Sequence, residues 1–266
     1  MQGRVLIVAG SDSGGGAGIQ ADIKTVTALG GYAMTAITAL TAQNTRGVFG
    51  VFPVDVGFIR QQIELVATDI GADAVKTGML ASAEVIDVVA DALAEFAAGV
   101  PIVIDPVMVA KGGSELLRAD AVASLRRRLL PMAAVLTPNL PEAEALTGQK
   151  IRSVDDMIRA GEALCQAGAA AALVKGGHRE GVEVTDVLVA DGTVELFTGP
   201  RIDTTSTHGT GCTLASAIAT GIAQKLPLKE AVARARAYVL EAIRTAPGFG
   251  HGHGPLNHAH TVQPFS

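Results

Sequence analysis

The chain has 266 residues, 48% of them hydrophobic, and carries 21 Lys and Arg against 26 Asp and Glu for a net charge of −5. That length supports one generous α/β domain, and its apolar stretches are interrupted by Asp, Gly, Lys or Pro too early to span a membrane. The acidic balance, seven Phe, two Tyr and no Trp give neither the basic footprint nor the stacking platforms of a nucleic-acid binder.

In chain order, apolar β-branched runs alternate with helix-period segments. A strand over Arg4 to Ala9 is followed by a helix over Ile19 to Leu29, a strand over Thr35 to Thr41, a helix over Val56 to Ile70 and a strand over Ala74 to Thr77. The alternation continues through a helix at Ala83 to Phe96, a strand at Ile102 to Asp105, a helix at Ala119 to Leu130 and a strand at Ala134 to Thr137. Helices near Pro141 to Leu146 and Val154 to Ala167 precede a strand at Ala172 to Lys175. Two further strands, Thr185 to Ala190 and Val194 to Gly199, are joined by the hairpin dipeptide Asp191-Gly192. Helices at Gly211 to Gln224 and Leu228 to Arg244 lead into a Gly/His-rich tail from about 248 to 266, which is given no regular structure. This is the pattern of βαβ units around a mainly parallel sheet, in one domain over 1–266. The short apolar run at the N-terminus is no signal-peptide core, and Cys165 and Cys212 make no disulfide framework; the expectation is a soluble, cytoplasmic protein.

In open α/β sheets a ligand lies beyond the carboxyl ends of the strands, and chemistry-bearing residues gather at those ends in this sequence. The strongest signal is Thr207-His208-Gly209-Thr210-Gly211-Cys212-Thr213. Two glycines turn successive N–H groups inward, and the following helix adds its unpaired N–H groups and positive dipole end, so Gly209, Thr210 and Gly211 form an anion hole. Cys212 falls in the first helical turn, where that dipole would lower a thiol pKa and let it take a proton from a substrate hydroxyl. Cys165 reads as plain core.

The loop Gly10 to Gly18 lacks the endings of a Walker P-loop or a dinucleotide fingerprint. It lets backbone approach a flat ligand, with Asp22 on the next helix within reach of a ring substituent. Asp105, Asn139 and Glu142 supply hard oxygen atoms for Mg²⁺ or its waters, and Asn139 to Glu142 also reads as a capping box. Lys175 ends a buried strand within reach of phosphates, or snorkels to solvent. The histidines of the tail follow no zinc spacing, and Arg126-Arg127-Arg128 reads as a solvated face.

These motifs, in this order and over nearly the whole chain, resemble the hydroxymethylpyrimidine/phosphomethylpyrimidine kinases of thiamine biosynthesis, within the ribokinase-like superfamily. The resemblance is carried by Ala9 to Asp22, Thr41 to Thr45, Lys76 to Leu80, Asp105 to Met108, Thr137 to Ala143, Lys175 to His178, His208 to Thr213 and Gly252 to His258. It implies a three-layer α/β/α sandwich and a homodimer that phosphorylates the hydroxymethylpyrimidine and then its monophosphate with Mg-ATP. Residue by residue, it implies that Gln43 contacts the pyrimidine while Gly10, Asp22, Met79 and Val107 line its pocket. Asp105 and Glu142 would organise Mg²⁺; Asn139, Lys175 and Thr210 would contact ATP phosphates. Cys212 stands where many sugar kinases have Asp, so its thiol either takes the proton or only positions the hydroxyl. The competing readings are a pyridoxal kinase of the same superfamily and a non-catalytic pyrimidine-binding protein.

Overall fold

The computed structural model describes residues 2–108 and 119–263. The last three residues of the expected tail lie outside that range. Nine strands form one sheet in the order β3-β2-β1-β4-β5-β6-β7-β8-β9. From β2 (Tyr32–Asn44) through β1 (Arg4–Asp12), β4 (Ala74–Thr77), β5 (Ile102–Ile104), β6 (Ala133–Leu136) and β7 (Ala171–Val174) all pairings are parallel. One edge is closed by the antiparallel β3 (Gly47–Pro53), the other by β8 (Glu183–Ala190) and β9 (Thr193–Pro200).

Val5 to Val8 of β1 are all fully buried, as a strand covered on both faces requires. Alternate residues serve the two layers. Leu6 and Val8 pack with Ile59 and Ile63 of α2 (Val56–Asp69) and Ile86 and Val89 of α3 (Ala83–Phe96). Val5 and Ile7 pack with Val26 of α1 (Gly18–Ala28), Ala215 and Ile218 of α7 (Thr210–Ala223) and Val232 of α8 (Leu228–Arg244). A smaller apolar cluster joins α5 (Leu140–Thr147) and α6 (Val154–Gln166) to β7 and β8. The result is a three-layer α/β/α sandwich.

Two elements differ from expectation. β3 is a strand that alternation did not show, because Gly47, Gly50 and Pro53 punctuate it and neither face is covered: Phe49, Val51 and Phe52 are exposed. The helix expected over Ala119 to Leu130 is α-helical only as α4 (Ala119–Ser124). It then widens into a π-turn at Leu125–Leu129 and tightens into a 3₁₀ turn at Leu130–Met132, as Pro131 withholds an N–H. Arg127 and Arg128 of that turn pair with Asp87 and Asp91 of α3. The β8–β9 hairpin turns on Asp191 and Gly192, both at positive φ, the geometry a two-residue hairpin favours.

The tail is held in place around Gly254 to His258. Leu256 and His258 are buried, His208 bridges to Pro255, and the Thr213 hydroxyl lies 2.9 Å from His258 Nε2. Burial first, then the nearby Lys24 and His260 charges, push His258 down to about 4. A histidine depressed in the fold contributes stability that is present above its unfolded value near 6.5 and is lost as pH falls toward 4, because the unfolded chain then binds the extra proton. Urea midpoints are therefore expected to fall over that window by the equivalent of about 3 kcal/mol. His258→Asn should lower stability at neutral pH but flatten that dependence; an unchanged pH slope would remove His258 as its source.

Candidate active site

The strand order reverses between β1 and β4, the crevice where open α/β sheets bind ligands. Gly10 ends the regular part of β1 and Met79 follows β4; a Cβ on Gly10 would stand 3.3 Å from the Met79 sulfur. From this crevice a cavity of about 1240 Å³ runs across the carboxyl edge of the sheet. One end is lined by Gly10, Gln43, Met79 and Val107, its middle by Asp105, Asn139, Glu142, Lys175 and Gly209 to Cys212. Beyond these, Val184, Phe197, Leu240 and Ile243 form an apolar end.

Gly209 caps α7 at φ +83°, and a Cβ there would meet the Gly16 carbonyl oxygen at 1.9 Å. Only glycine permits that approach, which presses the anion loop against the glycine-rich loop. The first turn of α7 then faces the cavity. A Cβ on Gly211 would lie 3.3 Å from Lys175 Nζ and 3.6 Å from an Asp105 oxygen, so the two charged groups sit directly beside the loop's N–H groups.

Lys175 Nζ donates to Asp105 Oδ1 at 3.0 Å. It is no snorkelling lysine: burial would lower its pKa, but Asp105 and Glu142 outweigh that and raise it. Asn139 and Glu142 do form a capping box, each backbone N–H donating to the other's side chain. The box holds Glu142 in place, with burial as the main cause and Lys175 opposing; its carboxyl is pushed up to about 7.

One expected residue does not line the cavity. Asp22 is fully buried; both its oxygens accept from Lys76 Nζ at 2.9 Å, and Oδ1 accepts from the Ser216 hydroxyl at 2.6 Å. It does not line the pocket for a ring substituent, because its carboxylate is fully buried and turned inward between α1, β4 and α7. Burial drives Asp22 up, yet the two-oxygen contact with Lys76 is an ion pair, and Asp22 in turn holds Lys76 protonated against burial. The residue at the cavity wall is Lys76 itself. Nothing in the sequence reading assigned it a role, although Lys76 before Thr77-Gly78 at a strand end was a signal of the kind used for Lys175.

Cys212 also departs from expectation. Burial comes first, and Asp22 and Asp105 add to it; against them stand Lys76 and the Gly18 N–H, and the thiol is pushed up to about 11. A thiol held that high does not stand ready as a base. Cys165 is half-buried against the core, with its sulfur 3.5 Å from the Val189 carbonyl oxygen.

Asp12 and His208, which the sequence motifs contain without a role of their own, are also part of the wall. Asp12 accepts from the N–H groups of Gly14, Gly16 and Ala17 and meets His208 Nε2 at 2.8 Å. It thereby ties the glycine-rich loop to the anion loop.

The phosphomethylpyrimidine kinase family model matches residues 12–257. A hydroxymethylpyrimidine/phosphomethylpyrimidine kinase of Bacillus subtilis is 49% identical over 256 residues, 96% of this chain and 94% of its own. A thiamine biosynthesis bifunctional protein of Geobacter sulfurreducens is 53% identical over 257 residues, and this chain spans 52% of its length. Among solved structures, a Bacillus subtilis pyridoxal kinase in an ADP complex superposes with a TM-score of 0.89 at 36% identity, covering 97% of this chain and 98% of its own. A phosphomethylpyrimidine kinase of Clostridium difficile gives 0.81 at 44% identity, covering 90% and 99%.

Proposed function

The chain belongs to the phosphomethylpyrimidine kinase family, and from that premise we propose that its cavity transfers the γ-phosphoryl group of ATP to 4-amino-5-hydroxymethyl-2-methylpyrimidine and then to the resulting monophosphate. The observation that carries this reading is the continuity of the cavity. The part lined by Gly10, Gln43, Met79 and Val107 is continuous with the anion loop, and the apolar residues beyond Lys175 suit a nucleotide base.

In the first transfer the hydroxymethyl oxygen forms a bond to phosphorus, the bond from phosphorus to the leaving ADP oxygen breaks, and the hydroxyl proton passes late in the step to an oxygen of the transferred phosphoryl group and from there to water. Such transition states are loose, and positioning with charge neutralisation supplies most of the rate. The N–H groups of Thr210 and Gly211, with Lys175, face the transferring group, and Asn139 presents its side-chain amide to the phosphates. The protonated Cys212 orients the hydroxyl rather than removing its proton.

Magnesium fits the donor set. Asp105 and Glu142 are hard oxygen donors beside the Lys175 charge, and Glu142 is raised first by burial and, against Lys175, by the neighbouring Asp105. Among the described residues no three His, Cys, Asp or Glu side chains gather as a metal site, which suits an ion that takes most ligands from water and phosphate. When bound it would neutralise phosphate charge.

Cys212→Ser is expected to keep at least about a tenth of kcat, and the pH profile of the native kcat to show no thiol ionisation near neutrality. Loss of turnover by about a thousandfold with the hydroxyl in place would restore the base role. A homodimer is part of the same proposal, supported by the exposed Phe49, Val51 and Phe52 along the open edge at β3; sedimentation at one chain's mass would remove it. A cytoplasmic setting is proposed from the two unpaired cysteines; among the described residues no helix is long and apolar enough to cross a membrane.

A further inference from the structure

Gln43 stands in a hydrogen-bond chain whose protons can be counted. Asp12 is 2% exposed. Its Oδ1 accepts from Gly14 N–H, and its Oδ2 from Gly16 N–H at 3.0 Å and Ala17 N–H at 2.8 Å. A carboxylate so placed is an acceptor only, and His208 Nε2 lies 2.8 Å from Oδ2; that nitrogen must carry a proton. Gln43 Nε2 is placed 3.3 Å from the same His208 Nε2 and Gln43 Oε1 3.2 Å from the Thr41 hydroxyl; a half-turn of the amide exchanges its oxygen and nitrogen with no other movement, and the proton count requires that turned-over orientation. Thr41 has one proton, and the Ser11 carbonyl takes it at 2.8 Å.

One orientation of the Gln43 amide satisfies all of these groups. Its oxygen accepts from His208 Nε2–H, shared with Asp12, and its NH₂ donates to the Thr41 oxygen. The opposite orientation sets two donors against each other at His208 and asks Thr41 for a second proton. The correct orientation leaves one N–H and one oxygen lone pair of the same amide for a ligand. That is the pairing by which a side-chain amide reads an amino group next to a ring nitrogen, as glutamine reads adenine.

We propose that His208, oriented by Asp12, is the positioning residue that fixes the Gln43 amide to read the aminopyrimidine edge, and so sets selectivity for that ring over a pyridine without an amino group. The inference rests on the pyrimidine reading above and assigns a device to it. His208 lies next to Gly209 in the chain, so the same residue couples ring recognition to the anion loop.

The test has two parts. Nitrogen-15 spectra of the His208 ring in the unmodified protein should show the Nε2–H tautomer; the Nδ1–H tautomer would overturn the proposal whatever the variants do. Steady-state kinetics should then be taken for His208→Leu and His208→Gln, the second of which keeps an N–H near the Nε2 position. The leucine variant should raise KM for the aminopyrimidine roughly 10- to 100-fold while KM for ATP changes less than about twofold, and the glutamine variant should recover most of that loss. Equal losses toward both substrates, or no recovery with glutamine, would reduce His208 to a structural residue. A native protein that phosphorylates no pyrimidine would overturn the parent reading and this proposal with it, whereas a native protein that does so, with a leucine variant that keeps its KM for the pyrimidine, would overturn this proposal alone.

Discussion

Gly209→Ala is expected to lower kcat by about a hundredfold or more in a protein that still folds. The new methyl group would meet the Gly16 carbonyl oxygen at 1.9 Å, on a backbone at φ +83° that side chains rarely adopt. The loop can relieve the clash only by moving away from the glycine-rich loop, and its N–H groups then no longer converge on one point. Misplacement of a charge-stabilising donor is costly because such groups act only when aimed at the charge that develops in the transition state. KM for the pyrimidine should change far less than kcat. A kcat within threefold of native would show that the loop's N–H groups do not carry the transfer.

Lys76→Met is the second large effect, and it falls on stability. It leaves the Asp22 carboxylate inside the protein with only the Ser216 hydroxyl, and breaking a buried pair in this way costs about 3–5 kcal/mol. Adding Asp22→Leu should recover much of that loss, because apolar groups of similar volume replace buried ion pairs with little net penalty. Turnover should not return with it, since Lys76 also forms cavity wall and faces Cys212. Denaturant unfolding of the single and double variants checks both statements. A single variant as stable as the native chain would mean that Asp22 is protonated and the pair is not ionic.

The strands and most helices were legible because burial on both faces writes an apolar run, and because caps mark the helix starts. The Asn139–Glu142 box is one such mark; Ser153, with Asp156 three residues on, is another. β3 was hidden because it has no covered face to write a pattern. The site was legible where backbone need and chemistry coincide, as at Gly209 to Cys212, or where a polar residue ends a parallel strand, as at Asp105 and Lys175. It was illegible where direction decides. Asp22 sits one turn into α1, next to the glycine-rich loop in sequence, but α1 turns it toward Lys76 of β4 rather than toward the cavity. Asp12 and His208 are 196 residues apart, and only the fold shows that they share a proton. The expected low pKa of Cys212 fails for a related reason: the sequence shows the helix start, but not the two carboxylates and the burial that outweigh it.

The central claim is that this cavity phosphorylates the aminopyrimidine twice. Mass spectrometry of the purified chain incubated with Mg-ATP and, in parallel, the hydroxymethylpyrimidine, its monophosphate and pyridoxal tests it most directly. The account predicts monophosphate and then diphosphate of the pyrimidine well ahead of any pyridoxal phosphate. Pyridoxal phosphate as the sole product would contradict it, and would move the chain's activity to that of the pyridoxal kinases whose fold it shares.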